Sequence, residues 1–256
     1  MNTRSEPHRL HSEAQRRARI DLAACHRLAY RFGYSEGIDN HLTMLVPGYS
    51  DRFYLAPFGL LWAEVRARDL LEVDFQGRRV AGEGRVEDTA LYIHLSVHRL
   101  KPDARCVLHT HMPHATALGM LQDGTLQMAS QSAVGFYAQV AYADYQGLAL
   151  DYSEGERMVR AMGTAPVLML RNHGVLVTGD SAAEAFERLY FLERACQVQL
   201  LARASGAPLQ LIPESIVRAT AAQFASALQV EGAARTELHF AALKRQLERT
   251  DPDYAQ

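Results

Sequence analysis

The chain has 256 residues, of which 48% are hydrophobic and 22% are charged, the balance of an ordinary soluble globular protein. Its formal net charge of -2 leaves no basic excess to neutralise phosphates, which argues against a dedicated nucleic-acid-binding protein. No apolar run is long enough to span a bilayer, and residues 1–19 are too polar for a signal peptide. Three scattered cysteines suit a reducing compartment better than a disulfide framework. We therefore expect a cytoplasmic protein that binds neither nucleic acid nor membranes.

The first half of the chain predicts a helix, a set of short strands and a second helix. Residues 1–11 have the composition of a disordered lead, and apolar residues at helical spacing then predict a helix between Ser12 and Gly33. Glu87 to Leu100 is predicted to be helical, with Pro102 beyond its end. Short apolar runs bounded by turn residues predict strands at 42–46, 53–56, 70–75 and 79–81. Such short strands joined by turns are typical of an antiparallel sheet.

The rest of the chain predicts further strands and four more helical segments. Helices are predicted from Ser153 to Gly163 and from Ser181 to about Ala204, each opened by a capping box, and over residues 215–248 after Pro213. Since no repeat or clear linker divides the chain, we expect one domain over 1–256, with a helical extension over 206–256. The other predicted elements are strands at 106–108, 167–170 and 175–177 and a short helix at 115–121.

Two histidines follow the predicted strand at 106–108. Because side chains alternate across a strand, His109 and His111 share a face while Thr110 points to the other side. Pro113 cannot donate to a sheet ladder, so the strand is expected to stop there and to leave the pair at its rim. Neutral imidazoles are the commonest protein ligands of zinc and similar ions. The pair is therefore either part of a metal site or two half-exposed histidines at a strand end.

A third histidine has the same sequence context. His173 follows the apolar run at 167–170, and Gly174 after it allows close approach of the backbone or of a ligand. Three histidines at strand ends would leave one coordination position open for water or substrate, as in catalytic rather than closed structural metal sites. The alternative is that His173 packs in a turn.

The two histidine segments resemble the class II aldolase and adducin head family. The resemblance rests on residues 105–111 and 171–174, with agreement at His94 and at residues 101–104, and it extends from about residue 15 to residue 205. It implies a three-layer α/β/α sandwich around a mixed, largely antiparallel sheet, commonly a tetramer with sites at subunit interfaces. It also implies a divalent metal, for which we expect zinc ahead of iron, manganese or cobalt. The implied ligands are His109, His111 and His173.

The chain departs from the sugar-phosphate aldolases of that family at several functional positions. Their acidic residue, four positions before the equivalent of His94, is replaced by Ala90, and their serine pair by Asp88 and Thr89. An acidic Asp88 would repel a phosphate, so we expect an unphosphorylated substrate. Two loops are also altered, and read Gly37-Ile38-Asp39-Asn40-His41 and Phe58-Gly59.

Glu87 is the candidate replacement for the missing acid. If the helix includes residue 87, Glu87 lies one turn before Ala90 on the same face, and the small Ala90 leaves room for it to reach the metal. The alternative is an ordinary first-turn acid favoured by the helix dipole. Tyr137 is the second candidate for proton transfer. The candidate substrate-binding residues, each with a core or surface role as its alternative, are Asn40, His41, Gly59, Arg85 and Gln131.

Three functions remain open on the sequence alone. The first is a metal-dependent lyase, of aldolase or decarboxylase type, acting on a small hydroxy or keto acid or carbonyl compound whose carboxylate Arg85 or Arg171 would bind. The second is an Fe(II)-dependent oxygenase, in which an aromatic cluster at 136–145 would hold an aromatic keto acid. The third is a non-catalytic assembly module, as in the adducin head. The expected partners are a small-molecule substrate and other copies of this chain in a homotetramer.

Overall fold

The structure is a computed structural model that describes residues 12–227 and 233–256. Its helices are α1 Glu13–Arg31, α2 Asp88–Leu100, α3 Pro113–Gly119, α4 Gln131–Val134, α5 Tyr152–Met162, α6 Ala182–Arg203, α7 Glu214–Ala227 and α8 Ala233–Thr250. Its strands are β1 His41–Leu45, β2 Arg52–Leu55, β3 Leu71–Asp74, β4 Arg79–Ala81, β5 Cys106–Thr110, β6 Val140–Ala143, β7 Val167–Leu170 and β8 Gly174–Gly179.

All of these strands form one mixed sheet in the order β4-β3-β2-β1-β5-β8-β7-β6. Every neighbouring pair is antiparallel except β6 and β7, which are parallel. The predicted antiparallel character is therefore confirmed, with one parallel edge pair. In the centre of the sheet His41 of β1 lies opposite His109 of β5, and Thr43 lies opposite Val107.

Helices cover both faces of the sheet. Leu42 and Leu108 point to the face that α1 and α6 cover, and they belong to the larger core cluster. Val107 and Leu168 point to the other face, where α2 and α5 pack through residues such as Ile93. Because the central strands alternate between two apolar layers, the middle of the sheet is buried on both sides, and the predicted three-layer α/β/α sandwich is confirmed.

Four helix starts can be compared with the sequence predictions. Ser12 caps α1 with the reciprocal capping box to Gln15. The start of α2 was predicted one residue too early, because Glu87 has extended backbone angles and is the N-cap rather than part of the helix. The capping box predicted at Ser153 is also wrong, since Asp151 caps α5 by accepting from the Ser153 and Glu154 amides. At α6, Ser181 accepts from the Glu184 amide, whereas the Glu184 carboxylate accepts from Asp180 rather than from Ser181.

The C-terminal segment folds back onto the helices of one face. The predicted helix over 215–248 corresponds to α7 and α8, and residues 228–232 between them lie outside the described part, as does the lead at 1–11. Helix α8 packs on α1 and α6 and contributes Phe240, Leu243 and Leu247 to the larger core cluster. In the described part of the chain no helix is long and apolar enough to cross a membrane. The three cysteines are buried and free.

Candidate metal site

The structure brings the three predicted histidines together at one end of β5 and β8. His109 is the fourth residue of β5, His111 follows the strand, and His173 lies in the turn between β7 and β8. The ring centroids are 5.1 Å apart for His109 and His111, 4.9 Å for His109 and His173, and 4.8 Å for His111 and His173. One ring nitrogen of each histidine lies within 4.8 Å of the other two, a spacing that one metal ion can bridge.

The turn that carries His173 depends on two special backbone positions. Asn172 has a φ of 58°, in the left-handed region that asparagine tolerates better than most residues. A Cβ atom on Gly174 would lie 2.4 Å from the Thr110 carbonyl oxygen and 2.8 Å from the His111 ring, so only glycine permits this approach. Both residues belong to the motif on which the family resemblance rests.

In two of the three rings Nδ1 is hydrogen-bonded, which leaves Nε2 free for a metal ion. His109 Nδ1 donates to the Val175 carbonyl oxygen at 2.9 Å, and His111 Nδ1 donates to the Glu36 carboxylate. Because both partners accept, each proton is on Nδ1 and each Nε2 keeps its lone pair. Among the described residues, the buried Nε2 of His111 has no hydrogen-bond partner. A buried and unpaired imidazole nitrogen is what a divalent cation binds, so these residues fit a metal.

His109 and His173 are held neutral, which metal ligation requires. Burial lowers the pKa of His109 well below its usual range, and the nearby His173 lowers it further. Burial, followed by the charge of His111, lowers the pKa of His173 to about 4. Metal binding at neutral pH therefore displaces no proton from either ring.

Glu36 was not identified from the sequence. It lies in the turn after α1, and nothing local marks a glutamate there as the partner of a histidine 75 residues away. The contact arises because β1 pairs with β5 and brings the turn before β1 to the end of the histidine strand. The same turn carries Asn40, whose side-chain oxygen accepts from the His111 amide at 3.3 Å.

His41 and Glu87 form an ion pair beside the three histidines. The rings of His41 and His109 are 5.1 Å apart, and His41 Nε2 lies 3.1 Å from a Glu87 carboxylate oxygen. Glu87 also accepts from the Ala90 amide at 2.7 Å and from the Thr89 hydroxyl at 2.5 Å. Burial acts to raise the Glu87 pKa, but the His41 hydrogen bond and charge, with the Thr89 and Ala90 bonds, lower it to about 2. Glu87 is thus both the helix cap and the charged partner of His41.

The sequence predicted that Glu87 would reach the metal past the small side chain of Ala90. In the structure Glu87 approaches the histidine cluster in a different way. Ala90 contributes its backbone N–H to the carboxylate, and the contact between Glu87 and the histidine cluster runs through His41. His41 in turn contacts His94, and a line of buried polar side chains continues to Thr43 and His98. Alternation in β1 and the four-residue spacing of His94 and His98 were the sequence signals for this set.

A small cavity of about 20 Å³ lies against the ion pair, and it is large enough for one water molecule. Its polar lining is His26, Asn40, His41 and Glu87, and its apolar lining includes Trp62. Among the described residues, His26 Nε2 and Asn40 Nδ2 are buried without hydrogen-bond partners.

The remaining predicted residues divide between the rim of this cavity and the rest of the chain. Gly59 is exposed next to Phe58, which lines the cavity, and Arg85 stacks over the Phe58 ring with 5.6 Å to its centroid. Gln131 is exposed at the start of α4, and Tyr137 is half-buried after that helix. Within the described chain, no hydrogen bond or ring contact joins Gln131 or Tyr137 to the three histidines.

The predicted aromatic cluster does not line a single pocket. Phe136 is buried in the core, and the Tyr142 hydroxyl accepts from the Leu126 amide at 2.9 Å. Tyr145 is half exposed, with its ring centroid 6.1 Å from that of His173. Arg171 pairs with Asp144 at 3.4 Å. The aromatic pocket invoked for an oxygenase is therefore absent from this part of the described chain.

Comparisons with known proteins identify relatives of this chain. The chain is 35% identical over 246 residues to an aldolase class 2 protein of Pseudomonas aeruginosa whose name leaves its activity open, covering 96% of this chain and 94% of that protein. A crystal structure of an aldolase II superfamily protein from Pseudomonas syringae is 36% identical and superimposes with a TM-score of 0.89, covering 96% of this chain and 97% of that one. Rat alpha-adducin is 34% identical over 207 residues, which are 79% of this chain but 28% of adducin. The model of the class II aldolase and adducin N-terminal domain matches residues 20–200, and the chain belongs to that family.

Proposed function

We propose that the chain is a divalent-metal-dependent lyase acting on a small, unphosphorylated hydroxy or keto acid or carbonyl compound. The observation that carries the proposal is the cluster of His109, His111 and His173. Their ligand nitrogens lie within 4.8 Å of one another, and the buried Nε2 of His111 has no hydrogen-bond partner among the described residues. Zinc suits an all-imidazole ligand set with an open position. A divalent cation held there would supply Lewis acidity to a substrate carbonyl group.

The residues around the cluster are assigned three further roles, which are ligand orientation, proton transfer and substrate binding. Val175 and Glu36 accept from the Nδ1 protons of His109 and His111 and so orient both rings. We assign proton transfer to His41 and Glu87, because this ion pair lines the cavity and His41 lies beside the His109 ring. Asn40 Nδ2 is the amide donor with which the same cavity could hold a substrate oxygen.

The proposal of an unphosphorylated substrate rests on what occupies the start of α2. A helix N-terminus attracts phosphate because its N–H groups have no partner within the helix. Here the Glu87 carboxylate already accepts from the Thr89 and Ala90 amides. A phosphate would have to displace this carboxylate and would meet exposed Asp88 beside it. Both effects oppose a dianionic ligand at that end of the helix.

Metal analysis of the purified protein tests the cluster. We expect about one equivalent of divalent metal per chain, and His173→Ala should lose most of it. His239→Ala is the matched control, because that histidine pairs with Glu187 away from the cluster. Full metal occupancy in His173→Ala would remove His173 from the site. A wild-type chain that binds no metal would favour the assembly module.

Substrate screening tests the reaction. Small hydroxy and keto acids should be cleaved or decarboxylated by the metal-loaded protein, whereas their phosphorylated counterparts should not. A clear preference for phosphorylated substrates would contradict our interpretation of Glu87 and Asp88.

A further inference from the structure

A chain of four hydrogen bonds runs through the interior from a backbone carbonyl to His41, which lies against the Glu87 carboxylate. It begins at Ala104, whose carbonyl oxygen is 2.9 Å from His98 Nδ1. Its next links are His98 Nε2 to Thr43 Oγ1 at 2.8 Å and Thr43 Oγ1 to His94 Nδ1 at 2.6 Å. It ends with His94 Nε2 to His41 Nδ1 at 3.3 Å, and His41 Nε2 lies 3.1 Å from a Glu87 oxygen. Thr43 and His94 are fully buried, and His98 is 3% exposed, so this buried chain does not exchange partners with bulk water.

The direction of the first two bonds is fixed by chemistry. A carbonyl oxygen only accepts, so His98 Nδ1 carries a proton. Burial lowers the pKa of His98 to about 4, so the ring is neutral and its Nε2 is an acceptor. The Thr43 hydroxyl therefore donates its one proton to His98.

The same direction continues through His94. Because the hydroxyl proton of Thr43 is already used, Thr43 can only accept from His94, which places a proton on His94 Nδ1. Burial lowers the pKa of His94 well below its usual range, so His94 is neutral and its Nε2 accepts from His41 Nδ1. His41 is thus fixed with a proton on Nδ1.

The buried chain ends beside a carboxylate. His41 Nδ1 faces His94, so the nitrogen that faces Glu87 is Nε2, which lies 3.1 Å from a carboxylate oxygen.

We infer that Thr43 and His98 are positioning residues that fix the direction of this chain, so that His41 keeps a proton on Nδ1 and presents Nε2 to Glu87. Neither residue touches the cavity, and both act through His94. A role in catalysis for this orientation of His41 rests on the proposed function. The tautomers themselves do not, because they follow from hydrogen bonds that need neither metal nor substrate.

The direct test is the tautomer of each histidine in the metal-free full-length protein. Long-range proton–nitrogen NMR correlations on protein labelled with 15N-histidine distinguish Nδ1–H from Nε2–H, and His→Gln variants at positions 41, 94 and 98 assign the signals. We expect His94 and His98 to be protonated at Nδ1 only, and His41 to be protonated at Nδ1. A wild-type His94 or His98 in the Nε2–H form would overturn the inference without any variant.

A substitution at Thr43 tests the cause. Thr43→Val keeps the volume but leaves the Nδ1–H of His94 without an acceptor, which costs about 1–3 kcal/mol for a buried donor. We expect His94 to lose its Nδ1–H signal and donate from Nε2, and His41 to lose its Nδ1 proton in turn. Thr43→Ser should restore both signals. Unchanged His94 and His41 signals in Thr43→Val would refute the positioning role.

Two further measurements separate the possible failures. Thr110→Val is the matched control, because Thr110 is a fully buried threonine of the neighbouring strand β5 whose hydroxyl has no partner among the described residues. It should leave all three tautomers unchanged, and a change there as large as in Thr43→Val would refute a specific role for Thr43. Thr43→Val should also keep its bound metal. A wild-type protein that binds no metal would contradict the proposed function but would leave the tautomer assignment unchanged.

Discussion

Replacing Glu87 by glutamine separates its two structural roles. The carboxylate caps α2 and pairs with His41, and the variant has nearly the same size but no charge. The Glu87 pKa of about 2 lies about 2.5 below the ordinary value of 4.5. At about 1.36 kcal/mol for each pH unit, this difference corresponds to roughly 3 kcal/mol of folding free energy at pH 7. Since glutamine retains one acceptor for the cap, we expect Glu87→Gln to lose about 2–3 kcal/mol.

The stability difference between wild type and Glu87→Gln should depend on pH, in a direction set by the lowered pKa of Glu87. The folded-state pKa of Glu87 is lowered, so its contribution is complete above the unfolded value of 4.5 and is lost as pH falls toward about 2. The difference in unfolding free energy between wild type and Glu87→Gln should therefore be constant from pH 7 to about 5 and fall to roughly 1 kcal/mol near pH 3. Urea denaturation of the metal-free protein at each pH measures it.

A matched variant and an activity measurement complete the experiment. Glu156→Gln removes an exposed carboxylate from the first turns of α5, where it pairs with Arg160, and should cost no more than about 0.5 kcal/mol. Glu87→Gln should keep its metal. Once a substrate is known, the variant should show a roughly hundredfold lower turnover. A loss of stability that does not change with pH would refute the ion-pair argument. Unchanged turnover would leave Glu87 as a helix cap alone.

Three other predictions concern the metal cluster and the assembly. Gly174→Ala should displace the turn that carries His173 and lower metal occupancy by atomic absorption, whereas Gly135→Ala, with no neighbour closer than 3.4 Å, should not. Glu36→Gln should weaken metal affinity by about 10–100-fold in a competition titration while the thermal unfolding temperature stays nearly constant, and an unchanged affinity would exclude Glu36 as the orienting partner of His111. Light scattering at micromolar concentration should report a tetramer, consistent with exposed apolar residues such as Leu201 on α6, and a monomer would contradict the family expectation.

Local patterns predicted seven of the eight strands in the described part of the chain, and the histidine cluster, because both depend on short-range geometry. Apolar runs of three to five residues marked the central strands, and period-two alternation placed His109 and His111 on one face. His173 was found from a second strand end with the same pattern. Only the meeting of the two strand ends came from outside the local sequence, through the family resemblance.

The surroundings of the cluster could not be predicted because they depend on register between distant strands. Glu36 reaches His111, and His41 reaches both His109 and Glu87, only because β1 pairs with β5 in one particular register. The start of α2 was misplaced for a related reason. A glutamate at a helix start can be either the cap or a first-turn residue, and here its bond to His41 accompanies the extended backbone of the cap.

The register of β1 against β5 is set by the apolar core, and the polar chain depends on it. A slip of one residue would turn Leu42 out of the layer under α1 and α6, and would turn His41 and Thr43 away from α2. Burying a leucine side chain contributes about 1.5–3 kcal/mol, so the core resists such a slip without help from the histidines. The same two strands thus hold the three histidines at the end of β5 and the contact between His41 and Glu87 in fixed relation. On the proposed function, carbonyl polarisation and proton transfer would then occupy neighbouring positions in a rigid part of the protein.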